Sequence, residues 1–359
     1  MALALALGRR GLGNTWPNPA VGAVLVRPED GQPVIVGRGW TQPGGRPHAE
    51  IEALRRAGAA ARGATLYVTL EPCSHHGKTP PCADAIVAAG IARVVSALED
   101  PNPEIAGQGH GRLRAAGIAV EVGLGAEQAR RDHAGHLRRM RDGRPHVTLK
   151  LAVSADHKAG LAGRRPAAIT GEPARARVHR LRAMNDAILV GIGTVLADDP
   201  QLTCRLPGME ARSPVRVVLD ARLRLPPGSA LATSARATPV WVVAAPDAPA
   251  EAERALRELG VELLRAPAQA GRLDLAAVLR MLAGRGITRL MVEGGPTVAA
   301  AFVAADLVDA AALFRSPKTI GPDGVDALEG MRIEAMTARL TTLGREPVGE
   351  DSVEFFERA

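Results

Sequence analysis

The chain has 359 residues, too many for one ordinary core, so two domains are expected. Apolar residues make up 46% and charged residues 23%, the balance of a globular protein, and no apolar run reaches the roughly 18 residues of a membrane span. Basic residues outnumber acidic ones by 45 to 38, a net charge of +7, but an aromatic content of 2% argues against the stacking platforms that single-stranded nucleic acid needs.

The N-terminal MALALALGRRG places its arginines after the apolar run, the reverse of a secretory signal, and reads as an Ala/Leu helix. Residues 20–26 (AVGAVLV) and 33–39 (PVIVGRG) read as a hairpin around the turn residues PEDGQ. Residues 49–61 are helical, with Ile51, Leu54 and Ala57 near helical spacing. Residues 65–70 (TLYVTL) form a strand, residues 82–89 a helix ended by Gly90, and residues 93–97 a further strand. This is βαβ grammar, so a sheet with helices on its faces is expected. The arginine-rich stretch holding Arg130, Arg131, Arg138, Arg139, Arg141 and Arg144 reads as a helix with a solvated basic face, stopped at Asp142-Gly143.

A new strand, residues 146–153 (HVTLKLAV), follows, and the domain boundary is placed there, giving domains 1–143 and 144–359. The second part repeats the pattern. Strands are expected at 187–190, 215–219, 240–244 and 289–292, and helices near 250–259 and 274–283. The Pro/Gly-rich patches at 205–208 and 225–228 read as turns, and the halves share no internal repeat. Three cysteines make no disulfide framework in a chain this long, which points to a reducing compartment, the cytoplasm.

Chemistry concentrates in two stretches of the first part. Pro47-His48-Ala49-Glu50 puts H-x-E at a helix start, and Glu71-Pro72-Cys73 follows a strand, with Cys82 opening the next helix. Zinc deaminases divide labour in this way: one His and two Cys hold the metal, and a Glu that binds no metal moves protons. Three protein ligands leave a fourth position for water, and zinc brings that water's pKa down towards about 7. H-x-E alone is a common helix start. Joined to strand-Glu-Pro-Cys in βαβ context, it outweighs a structural zinc site or two unrelated thiols. His75 and His76 also invite a metal assignment, but a fourth protein ligand would close the site, so they are assigned to the loop or to substrate. Eight residues separate Cys73 from Cys82, where the short motif has two.

PNPAVGAVLV, PHAE, YVTLEPCSHHGKTPPC and EDPNP together resemble the bifunctional riboflavin-biosynthesis family, which joins a diaminohydroxyphosphoribosylaminopyrimidine deaminase to a phosphoribosylaminouracil reductase; the long spacing is a trait of that family. The resemblance implies an α/β protein: a cytidine-deaminase-like three-layer domain followed by a dihydrofolate-reductase-like domain. It implies one Zn2+ on His48, Cys73 and Cys82, with Glu50 as proton shuttle. Lys78 and Thr79 would lie near the ribose phosphate, and Asn18 and Asn102 would line the same pocket.

In the second part, GTVLADDPQLTCR and VEGGPT resemble the reductase half. Glycines at a helix start admit a phosphate to backbone N–H groups, though Gly-Gly-Pro alone is as readily a turn. By the resemblance, NADPH would contact Val153, Thr194, Asp198 and the run Gly295, Pro296, Thr297, Val298, Ala299, Ala300 and Ala301. Arg182, Leu202, Arg205 and Glu293 would face the substrate, with Asp198 and Glu293 as candidate acids for hydride transfer to C1 of the ribosylamine. The chain departs from the family pattern at His157 (Gly), Pro166 (Ser), Ala168 (Trp) and Ala221 (Ser), and Met1 falls inside the usual first helix. The expected partner is a phosphoribosylated pyrimidine, with no nucleic acid or membrane, in a homo-oligomer, a dimer or tetramer. The weighed alternatives are a nucleic-acid deaminase, a scaffold with structural zinc, and a deaminase with a lapsed reductase.

Overall fold

The computed structural model describes residues 1–77, 80–103 and 105–358. The chain divides into two compact units, Met1–Arg144 and Pro145–Ala359.

The first unit runs α1 (Ala2–Gly8), β1 (Gly22–Glu29), β2 (Gln32–Trp40), α2 (Ala49–Ala57), β3 (Thr65–Val68), α3 (Cys82–Ala88), β4 (Arg93–Ser96), α4 (Gln108–Ala115), β5 (Ala119–Val122), α5 (Ala126–Asp132) and α6 (Ala134–Asp142). Its five-stranded sheet has the order β2-β1-β3-β4-β5. β1 is antiparallel to both neighbours, and β3, β4 and β5 are parallel. The hairpin closes on Asp30 (φ +50°) and Gly31 (φ +76°), a two-residue turn with both dihedrals positive. The expected 49–61 helix stops at Ala57, because Gly58 takes φ +53° and the chain tightens into a 3-10 turn. The arginine-rich stretch forms two helices, α5 and α6, meeting at His133.

Two glycines of β2 fix where α2 lies. A Cβ on Gly37 would sit 2.4 Å from the Ala53 carbonyl oxygen, and one on Gly39 would sit 2.3 Å from that of Ala49. Backbone therefore packs on backbone, with Ala49 and Ala53 fully buried between helix and sheet. Leu25, Leu66, Ile86, Val94 and Leu113 fill the rest of this core.

The second unit runs β6 (His146–Val153), β7 (Lys158–Gly160), α7 (Glu172–Ala183), β8 (Ala187–Gly191), α8 (Ile192–Asp198), β9 (Val215–Leu219), α9 (Ala230–Thr233), β10 (Val240–Ala244), α10 (Ala250–Glu258), β11 (Glu262–Arg265), β12 (Ala268–Gln269), β13 (Arg272–Leu273), α11 (Leu275–Gly284), β14 (Arg289–Val292), α12 (Pro296–Ala304), β15 (Ala310–Arg315), β16 (Val325–Asp326), β17 (Thr341–Val348) and β18 (Asp351–Glu357). The nine-stranded sheet has the order β11-β10-β9-β8-β14-β6-β15-β18-β17. From β11 to β15 all neighbours are parallel, while β18 runs antiparallel to β15 and β17 antiparallel to β18. Ile188, Val190, Val218, Val242 and Leu256 anchor its core. Among the described residues, no helix is long and apolar enough to cross a membrane.

Candidate functional site

In the first unit, His48 is the extended residue that precedes α2, and its carbonyl accepts the Glu52 N–H. Glu50 sits in the first turn of that helix, 3% exposed. Cys73 lies in the loop after β3, and Cys82 is the first residue of α3. His48 Nδ1 is 3.3 Å from Cys82 Sγ and 3.6 Å from Cys73 Sγ. One donor atom from each of the three residues falls within 4.8 Å of the others. The Cys82 N–H donates to Cys73 Sγ at 3.2 Å, so the backbone at the start of α3 faces the Cys73 sulfur.

The electrostatics of this cluster favour a thiolate. The Cys82 thiol donates to Cys73 and, against the cost of burial and together with His48 and the Cys82 N–H, holds the Cys73 thiol down at about 4. The same hydrogen bond, then burial, pushes Cys82 up. The Cys73 contact raises His48. Burial raises the Glu50 carboxyl to about 7. One imidazole and two sulfurs match the donor chemistry of a three-ligand zinc site that keeps an open position. His75 and His76 are exposed and are not part of the cluster.

Glu71, in the same Glu-Pro-Cys stretch, is 6% exposed. One carboxylate oxygen accepts the Asp100 and Gly107 N–H groups, each at 3.0 Å, and the other accepts the His110 N–H at 3.1 Å. Glu71, Glu99 and His110 also lie close enough to hold an ion, yet the Glu71 oxygens are already engaged by backbone. Glu71 ties the loop that carries Asn102 to the loop that carries Cys73. Asn102 donates its own N–H to Asp100 Oδ1, and Asn18 donates from Nδ2 to the Gly45 carbonyl at 2.8 Å.

In the second unit, a cleft of about 820 Å3 opens at the carboxyl ends of β8 and β9, beside the start of α12. Thr297, Val298, Ala300, Ala301 and Ala221 line it. The Gly295 N–H donates to Thr194 Oγ1 at 2.9 Å, joining the starts of α8 and α12. A Cβ on Gly294 or on Gly191 would come within 2.7 Å of Val298, so both glycines let α12 approach β8. Glu293, at the end of β14, receives Arg182 in a two-pronged pair, Nε to Oε1 at 2.8 Å and Nη2 to Oε2 at 2.9 Å. Lys150 Nζ lies 3.8 Å from the same carboxylate. Burial would raise Glu293, but Arg182 and then Lys150 hold it down at about 2. Burial pushes Lys150 down.

The cytidine and deoxycytidylate deaminase zinc-binding region matches residues 1–98, and the RibD C-terminal domain matches residues 145–353. The riboflavin biosynthesis protein RibD of Escherichia coli strain K12 is 43% identical over 344 residues, 92% of this chain and 91% of that protein. This chain belongs to the RibD family. It is a bifunctional enzyme, a deaminase joined to a reductase in riboflavin biosynthesis, with a deaminase-like first unit and a reductase-like second. The structure of Acinetobacter baumannii RibD superposes with a TM-score of 0.87 at 36% identity, covering 100% of this chain and 97% of that one. The Thermotoga maritima diaminohydroxyphosphoribosylaminopyrimidine deaminase/5-amino-6-(5-phosphoribosylamino)uracil reductase gives 0.85 at 34%, with 100% and 97% covered.

Not all the residues singled out from the RibD resemblance sit alike. His48, Cys73 and Cys82 converge with Glu50 beside them. Lys78 and Thr79 lie outside the described residues. Arg182 and Glu293 are brought together, whereas Arg205 is exposed and the Leu202 side chain, 3% exposed, packs into the core. Val153 and Ala299 are fully buried, Asp198 is exposed at the end of α8, and Gly295 and Pro296 form the entry to α12 rather than the cleft wall. At the departures, His157 takes φ +63°, keeping the left-handed turn that a glycine adopts freely. Asp156 fixes that turn by accepting from Ser154 Oγ and from the Ile320 and Gly321 N–H groups. Glu71 and Lys150 are the residues that sequence reasoning passed over. Lys150 shares the less buried face of β6 with His146, Thr148 and Ala152, so the alternation of the strand marked it only as an ordinary polar position.

Proposed function

We propose that the first unit deaminates diaminohydroxyphosphoribosylaminopyrimidine and that the second reduces the ribosyl group of 5-amino-6-(5-phosphoribosylamino)uracil to ribityl with NADPH, the two reactions named for the Thermotoga maritima relative. The convergence of His48, Cys73 and Cys82 beside the buried Glu50 carries the reading. When bound by those three donors, zinc supplies Lewis-acid activation of water near neutral pH. Glu50 takes a proton from the attacking water on its carboxylate and gives it to the ring nitrogen, then takes the hydroxyl proton of the tetrahedral adduct and gives it to the amino group, which leaves as ammonia while the carbonyl forms. Its burial, which lifts it to about 7, suits a group that must both accept and release a proton. Asn18 and Asn102 orient the pyrimidine, and Lys78 and Thr79 are assigned to the ribose phosphate.

In the second unit, NADPH supplies hydride when bound in the cleft beside α12, with Thr297 and Val298 of the helix's first turn, which line the cleft, offering backbone N–H groups to its pyrophosphate. Thr194, Asp198, Val153 and the run from Gly295 to Ala301 are assigned to that cofactor. Arg182, Arg205 and the backbone at Leu202 are assigned to the phosphorylated substrate. Glu293, held ionised by Arg182 and Lys150, has no proton to give, whereas Lys150 carries protons at Nζ and lies beside it. A homo-oligomer belongs to the same reading, supported by the exposed outer strand β17 with Leu343 uncovered, and three free cysteines support a cytoplasmic location.

The test is Glu50→Gln in the full chain. It is expected to keep zinc at the wild-type stoichiometry and to lose ammonia release by about 10²-fold or more. Loss of the metal, or wild-type ammonia release, overturns the assignment.

A further inference from the structure

Glu71 and Cys73 flank Pro72, yet the Glu71 carboxylate belongs to a second group of donors that the cysteine cluster does not use. One donor atom each from Glu71, Glu99 and His110 falls within 4.8 Å of the others, the same spread as His48, Cys73 and Cys82.

Two carboxylates alone would be an ordinary acidic patch; His110 distinguishes this one. It is 1% exposed, and among the described residues neither of its ring nitrogens makes a hydrogen bond. Nδ1 lies 3.7 Å from Glu71 Oε2, too far for one. Buried polar atoms of folded proteins are nearly always partnered, so a buried imidazole with two unpartnered nitrogens beside two carboxylates points to a ligand. Burial lowers the His110 pKa, and Arg114 on the same helix adds to this against the opposing pull of Glu71 and Glu99. The neutral imidazole, the form that binds metals, is thereby favoured.

The surroundings hold the donors in place. A Cβ on Gly109 would lie 2.0 Å from the Pro72 carbonyl oxygen, so the start of α4 rests directly on the Glu-Pro-Cys stretch. The Asp100, Gly107 and His110 N–H groups take three lone pairs of the Glu71 carboxylate. A carboxylate offers about four, so these bonds leave one free, and ligating carboxylates are themselves held by such hydrogen bonds. Glu99 reaches the same point: a Cβ on Gly107 would meet its Oε2 at 3.3 Å. Among the described residues Glu99 makes no hydrogen bond or ion pair. Two carboxylates and a neutral imidazole carry a charge of about −2, which the positive end of α4 offsets by only about half a charge. Donors about 2.0–2.2 Å from a shared ion lie closer together than this cluster does, and Glu99, being exposed, is the member free to close on it.

We infer that Glu71, Glu99 and His110 form a second metal site in the first unit, separate from the cysteine cluster, which takes a divalent first-row transition-metal ion. The charge calls for a divalent cation, and the imidazole nitrogen favours a transition metal over magnesium or calcium. An ion held there joins three segments: the stretch that carries Cys73, the loop that carries Asn102, and α4.

The experiment titrates Mn2+ into full-length protein already loaded with one equivalent of zinc, and follows the free Mn2+ signal by electron paramagnetic resonance. Manganese suits oxygen and nitrogen donors and competes poorly for thiolates, so it leaves the cysteine cluster alone. The wild-type protein is expected to bind one Mn2+ per chain. His110→Leu and Glu99→Gln are each expected to weaken that binding by about tenfold or more, since loss of even a supporting residue costs that much. Glu99 is exposed, so its substitution tests the site without disturbing the core. Glu127→Gln, an exposed carboxylate on α5, should stay within about twofold, and zinc should stay at one per chain in all three. No Mn2+ binding by the wild-type protein overturns the inference, as does wild-type affinity in either His110→Leu or Glu99→Gln. An equal loss in Glu127→Gln would mean diffuse attraction and overturns it too. Loss of zinc along with manganese would show that the two sites are not separate.

Discussion

Glu293 is the residue whose environment makes the sharpest claim. It is a buried carboxylate with a two-pronged arginine on one side and a half-buried lysine on the other. Its folded value, about 2, lies below the ordinary 4.5. A depressed folded pKa stabilises the native state above the ordinary value, and that stabilisation is lost as pH falls from about 4.5 towards about 2. Glu293→Gln is therefore expected to lower the urea midpoint of the second unit at pH 7, because Arg182 and Lys150 lose the carboxylate charge that compensates them; breaking such a pair costs about 3–5 kcal/mol. On acidification the wild-type midpoint should fall towards that of the variant. Urea melts at pH 7, 5 and 3 check this, and parallel curves for the two proteins would show that the carboxylate is not held as described. The same arrangement explains why Glu293, legible as a motif residue in VEGGPT, was not legible as a salt-bridged one. Its partners come from β6 and α7, far away in sequence, and no spacing rule joins them.

At the scale of elements, two of the three proposed zinc donors were legible because they sit at helix starts, while Cys73, in the loop after β3, was legible only through its Glu-Pro-Cys setting. His48 precedes α2, and Cys82 opens α3. The hairpin, the parallel strands β3 and β4 and the βα repeats of the second unit were equally legible from apolar runs bounded by glycine and proline. The C-terminal part was not. β15 reads AAALFR, alanine-rich and helix-like, and β17 reads TTLGREPV, an exposed edge with no alternation. Pairing with β6 and β18, not local preference, makes them strands. The glycines of β2 carry a prediction at this scale. Gly39→Ala forces a methyl group against the Ala49 carbonyl, 2.3 Å away on α2, the helix that positions His48 and Glu50. Backbone cannot yield as a side-chain tip does, so the cost is expected at about 1–3 kcal/mol. Bound zinc and ammonia release should both fall, and NADPH oxidation on the deaminated substrate should not. Metal content by atomic absorption and a thermal melt read the two effects, and unchanged zinc and stability would mean that α2 does not bear directly on β2.

At the scale of the whole molecule, the catalytic machinery divides as the chain does. The candidate zinc donors and Glu50 come from Met1–Arg144, and the cleft proposed for the cofactor and the Arg182–Glu293 pair come from Pro145–Ala359. Each unit has its own sheet and its own core. Metal binding is linked to the folding of the residues that hold it, so its loss should be felt where those residues are. Prolonged chelation, with removal of the chelator, is expected to abolish ammonia release and to lower the melting temperature of the first unit, because the metal no longer ties the start of α2 to Cys73 and the start of α3. NADPH oxidation with 5-amino-6-(5-phosphoribosylamino)uracil should stay within about twofold, since no residue assigned to that reaction lies in the first unit. Zinc added back should restore ammonia release alone. A parallel loss of both activities on chelation would mean that the second site depends on the first, and would require a coupling that neither core by itself contains.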